Sequence, residues 1–99
     1  MSSHETKWTF FSNYGHVYFI LASSEALVVR EIAQRVGITE RSVLGIIQEL
    51  EEAGYIEKEK VGRSNRYKII PDKTLRHPLE NNVQLKELIN VINKAKKNS

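Results

Sequence analysis

Between residues 30 and 53, two short apolar stripes are separated only by Gly37-Ile38-Thr39. Ile32, Ala33 and Val36 recur at helical spacing over 30–36. Val43, Ile46, Ile47 and Leu50 do so over 40–53. Gly37 stands where a helix C-terminus wants a residue free to adopt positive φ. Thr39 supplies an N-cap oxygen for the helix that follows. The small Ala33 permits a close crossing, and Ile32, Val36, Ile38, Val43 and Ile46 can fill the wedge between the two helices. Two short helices joined in this way are a helix-turn-helix.

The flanking segments extend this motif in both directions. Upstream, residues 8–21 carry apolar side chains at 10, 14, 17, 18 and 21, which predicts a first helix with Ser12 as its cap. Gly15 costs that helix about 1 kcal/mol relative to alanine, so a close backbone approach is expected there. Residues 23–26 read as a loop, and Leu27-Val28-Val29 as a short β-prone piece. Downstream of Gly54, Tyr55–Val61 and Arg66–Ile70 flank Gly62-Arg63-Ser64-Asn65 and predict a hairpin. Pro71-Asp72 ends it. Residues 75–79 are irregular, and residues 83–95 form a last amphipathic helix with apolar positions at 85, 88, 89 and 92. The expected fold is therefore mainly α with a small β-hairpin: a winged helix-turn-helix with a three-helix core, a two-stranded wing and an extra C-terminal helix. Its divisions are a tail at 1–7, a winged helix-turn-helix domain at 8–80 and a C-terminal helix at 81–99.

Composition narrows the function classes. The 99 residues contain no cysteine, which excludes disulfide scaffolds and thiolate metal sites. No apolar run approaches the ~20 residues of a membrane span, and no basic-then-apolar leader opens the chain, so a cytoplasmic location is expected. His4, His16 and His77 lie far apart and outside any metal spacing, and no nucleophile elbow, phosphate loop or paired-carboxylate site occurs. No catalysis, cofactor or metal is expected. The net charge of +3 is unevenly spread. Residues 1–39 balance, residues 40–61 carry three bases against six acids, and residues 62–99 carry nine bases against three acids. A basic C-terminal half suggests an acidic partner such as nucleic acid.

The basic residues fall where a winged helix would use them. Arg63, Arg66 and Lys68 have no obvious acidic neighbour in sequence, and with Lys60, Ser64 and Asn65 they form a candidate surface for phosphates or the minor groove. Residues 29–43, the junction Leu50-Glu51-Glu52-Ala53-Gly54-Tyr55-Ile56 and the wing Val61-Gly62-Arg63-Ser64-Asn65-Arg66-Tyr67 resemble small prokaryotic winged helix-turn-helix transcription regulators, usually grouped as MarR and ArsR families. Trp8-Thr9-Phe10 and residues 75–80 resemble short members of the same group.

The resemblance implies double-stranded DNA as partner, with the third helix in the major groove. The reading positions would be Thr39, Glu40, Arg41, Ser42, Leu44, Gly45 and Gln48. Arg41 can reach guanine or phosphate and Gln48 adenine or phosphate, while Glu40 favours the positive end of the helix dipole. Relatives often carry polar or basic residues where Leu44 and Gly45 stand. That departure, with Glu49, Glu51 and Glu52 nearby, points to the alternative of a winged helix that binds protein instead of DNA. Regulators of this kind work as two-fold dimers. Trp8, Phe11, Tyr14 and Tyr18 of the first helix region, and Leu85, Leu88, Ile89 and Ile92 of the last helix, are the expected homodimer interface.

Overall fold

The computed structural model of the chain describes residues 8–23, 28–62 and 64–98, without the side chains at 61, 64, 65 and 96–98. Three helices come first: α1 (Asn13–Ala22), α2 (Val29–Val36) and α3 (Glu40–Glu52). The antiparallel strands β1 (Ile56–Val61) and β2 (Ser64–Ile69) follow, and α4 (Leu85–Asn98) closes the chain. This is the element order of a winged helix-turn-helix with an added helix.

Local chemistry sets each boundary. Ser12 precedes α1 as expected, although its side chain makes no capping bond. Gly15 is tight against the Phe11 side chain rather than a second backbone, since a Cβ there would lie 3.1 Å from Phe11 Cβ. The β-prone Val28 and Val29 do not build a strand. Val28 is the extended N-cap of α2 and Val29 its first helical residue, because the Glu31 carboxylate reaches back to accept from the Val28 N–H at 3.2 Å. Leu27 lies outside the described residues.

Gly37 ends α2 at φ 89°, ψ 34°, and the amides of Gly37 and Ile38 both donate to the Ala33 carbonyl at 2.8 and 3.1 Å. Gly37→Ala is expected to cost about 1–2 kcal/mol, because an L-residue is forced into the left-handed region although nothing crowds its Cβ. A urea-midpoint shift at unchanged slope measures that cost. Thr39 caps α3 with its hydroxyl, which accepts from the Ser42 N–H at 3.0 Å.

The core is one cluster drawn from every helix and the foot of the wing. Val17, Tyr18, Ile32, Ala33, Val43, Ile46, Ile47, Ile56 and Leu85 are buried in it. Ile56 ties β1 to the helices, while Tyr67 and Ile69 pack on the same cluster from β2. The strands pair from Ile56↔Ile69 out to Val61↔Ser64, so the turn is shorter than the expected 62–65. Gly62 opens it at φ 62°.

The start of α4 is fixed to the segment leaving β2. Leu85 N–H donates to the Lys73 carbonyl at 2.9 Å, Lys86 N–H to Pro71 at 3.0 Å, and Leu75 N–H to Val83 at 3.0 Å. No helix among the described residues is long and apolar enough to cross a membrane.

Candidate nucleic-acid interface

Two elements present the candidate residues, α3 and the wing. On α3, burying Val43, Ile46 and Ile47 fixes which side faces outward. Arg41, Leu44, Gly45 and Gln48, at i, i+3, i+4 and i+7, form one exposed stripe on the opposite side. Leu44 is 52% exposed, although its type would ordinarily be buried. At Gly45 a side chain would meet nothing within 4 Å, so the stripe has a gap at its centre.

The other predicted α3 residues are partly engaged in the helix itself. Thr39 and Ser42 turn their hydroxyls toward each other at 2.9 Å, at the cap. Glu40 is exposed in the first turn, beside the positive end of the helix dipole. Gln48 donates to Glu52 at 3.3 Å. Glu49 is drawn to the other side, where its carboxylate accepts from the Tyr14 hydroxyl and raises the pKa of that phenol. One acid of the α3 tail thus points toward α1 and away from the stripe.

The register of the wing adds acidic neighbours across the strands that sequence proximity does not show. Glu57 stands directly opposite Lys68, and Glu59 opposite Arg66. The other face pairs Lys58 with Tyr67 and Lys60 with Asn65, with no acid among them. Lys58, Lys60, Arg66 and Lys68 are all exposed. Lys58 was absent from the sequence-predicted set. Strand alternation was the available signal, since it places Lys58 on the face of Lys60. Arg63 lies outside the described residues, as do the side chains of Ser64 and Asn65.

The eight expected interface residues divide. Tyr18 and Leu85 belong to the chain's own core, at 3% and 6% exposure, so they are not presented to a partner. Burial is the physical reason: each side chain is already covered by the three-helix cluster. Leu88 and Ile89 are half-buried and also pack on that core, and Ile92 is half-buried. Trp8, Phe11 and Tyr14 are exposed, as are Phe10 of the same aromatic segment and Val91, which the expected interface lacked. Trp8 and Phe10 lie edge to face at 5.1 Å.

Comparison with known proteins finds a family model and solved structures similar to this chain. The family model described as "Sugar-specific transcriptional regulator TrmB" matches residues 13–73, the span from α1 to just beyond the wing. Among solved structures, the chain is similar to the crystal structure of the zinc-dependent MarR family transcriptional regulator AdcR in its Zn(II)-bound state. The identity is 25% and the TM-score 0.49, over 66% of this chain and 47% of that one. This chain thus covers about half the length of that protein. No curated protein matches it.

Proposed function

We propose that this chain, which belongs to the TrmB family of transcriptional regulators, acts by laying α3 in the major groove of duplex DNA with its wing on the flanking backbone. The family makes it a DNA-binding regulator and not an enzyme. The observation that supports the groove assignment is the exposed stripe Arg41-Leu44-Gly45-Gln48, held outward by three buried residues on the same helix. Arg41 reads guanine or a phosphate, Gln48 adenine, and Leu44 a thymine methyl. Thr39 and Ser42 set the helix start against the backbone, while Glu40 complements the positive end of the helix dipole. Lys60, Arg63, Ser64, Asn65, Arg66 and Lys68 form the wing surface, and we add Lys58 to them. The chain acts in the cytoplasm as a homodimer, built on exposed Trp8, Phe11 and Tyr14 and on the outer face of α4 around Ile92. In this reading residues 8–80 bind DNA and residues 81–99 serve the dimer.

One observation favours a second reading. An exposed leucine beside a gap is a better fit to a protein surface than to a row of bases, so a protein-binding winged helix is the competitor. Salt separates the two. The protein is titrated with salt over a pool of genomic duplex fragments, and the retained fragments are sequenced. The DNA reading expects log affinity to fall with log salt at about −0.9 per phosphate contact, and the retained fragments to share a palindrome. Absence of retention at low salt, or retention insensitive to salt, transfers the function to a protein partner.

A further inference from the structure

Of the five glycines, Gly45 has no explanation within the chain. Gly37, Gly54 and Gly62 each adopt a positive φ that other residues resist, and Gly15 is tight against Phe11. Gly45 sits inside the regular helix α3, and among the described residues a Cβ there would meet nothing within 4 Å. A glycine in mid-helix destabilises the helix relative to alanine. Neither packing nor backbone conformation offsets that loss in the free chain. An unfilled space on an exposed helix face is room for something outside the chain, and a glycine lets that something approach the backbone closely.

The neighbours of that space describe its occupant. Leu44 is an exposed apolar wall. Gln48 lies one turn on from Leu44, a spacing that puts Cβ atoms about 5–6 Å apart. Its side-chain nitrogen donates to Glu52 at 3.3 Å. A carboxylate only accepts, so the amide must turn its nitrogen there, which leaves its oxygen as an acceptor. Arg41, one turn before Leu44, is a fork of donors. The stripe thus offers, in order, donors, an apolar contact, open space and an acceptor.

We infer that the α3 stripe reads 5-methylcytosine in duplex DNA, with the base methyl in the space beside Leu44 and the base amine donating to the Gln48 oxygen. The inference rests on α3 lying in the major groove and names the base selected there. It replaces two separate contacts, to a thymine methyl and to an adenine, with one base that meets both side chains. In the major groove cytosine presents its N4 amine, and thymine presents a methyl beside an acceptor oxygen. Thymine would therefore set oxygen against oxygen at Gln48, and unmodified cytosine would leave the space empty. Adenine offers an amine with no apolar group. N6-methyladenine keeps a single amine proton, and pairing with thymine uses it. 5-Methylcytosine carries a methyl and a free amine proton on adjacent ring atoms, which matches an apolar wall and an acceptor on adjacent turns. Arg41 then takes a neighbouring guanine through O6 and N7.

The test uses three pools of random duplexes, made with ordinary bases, with 5-methylcytosine in place of cytosine, or with N6-methyladenine in place of adenine. The pools carry different barcodes, are mixed equally and are bound by the full chain at low salt, and the retained fragments are sequenced. The 5-methylcytosine pool is expected to be retained about fourfold over the other two at its enriched sites, the worth of burying one methyl group. Leu44→Ala, an exposed substitution that leaves the fold intact, is expected to bring the pools level. A circular dichroism melt checks that fold. The inference is overturned if the native chain retains the pools equally, if it favours either of the other two, or if Leu44→Ala keeps the preference. Equal retention leaves the DNA-binding reading standing, whereas retention of no pool removes both.

Discussion

Replacing Lys58 and Lys60 together by alanine should lower affinity for every duplex about sixtyfold at 0.1 M salt. Each phosphate contact contributes about 0.9 to the salt exponent, or roughly eightfold at that concentration, and two are lost. The salt dependence should flatten by about 1.8 while sequence preference stays the same. These two lysines share a strand face without an opposed acid. Arg66 and Lys68 are different, because Glu59 and Glu57 stand across from them. Glu57→Gln with Glu59→Gln is therefore expected to tighten binding. In that background, removing Arg66 and Lys68 should cost more than it does in the native chain, a coupling that a double-mutant cycle reads directly. If the Lys58/Lys60 variant binds as the native chain does, the wing does not lie on the backbone.

Ile56→Ala is expected to have the largest effect on stability, about 2–5 kcal/mol. Ile56 is 1% exposed and is the residue through which β1 enters the core. For a domain of this size such a loss lowers the thermal midpoint by about 10 °C or more and consumes much of a total stability of about 5–15 kcal/mol. Because the cavity opens at the foot of the wing, hydrogen exchange should speed up along Ile56–Val61 before it does in α2. Leu44→Ala is the contrast, an apolar deletion on exposed surface, with an expected change within about 0.5 kcal/mol. Urea melts of the two variants decide whether the buried core is as assigned, and equal losses would contradict it.

What could be read in the sequence was what local chemistry determines. The stripes of α2 and α3, the positive-φ glycine between them and the Thr39 cap all act within a few residues, and they stand as expected. The same holds for the hairpin and for the winged-helix class. Features that depend on pairing distant residues were hidden. Whether Arg66 meets Glu59 depends on register, and register depends on the turn, which is shorter than the run of turn-forming residues suggested. Val28 and Val29 have β propensity, but a glutamate three residues on from Val28 turned them into a helix start. Tyr18 and Leu85 lie on amphipathic stripes that could face a partner or the chain's own core, and periodicity cannot tell these apart. At family level, the residues resembled small prokaryotic winged helix-turn-helix regulators, and the matching family model, TrmB, is one of transcriptional regulators.

The vacancy at Gly45 bears on how such a protein can change. Most substitutions that alter recognition also disturb packing, and the stability they lose limits which ones survive. Here a new side chain would enter open space in the middle of the exposed α3 stripe. Replacing a mid-helix glycine returns up to about 1 kcal/mol of helix propensity. A substitution at this position is thus stabilising as well as sterically free in the unbound chain. If the stripe reads DNA as proposed, a new specificity needs no compensating mutation elsewhere.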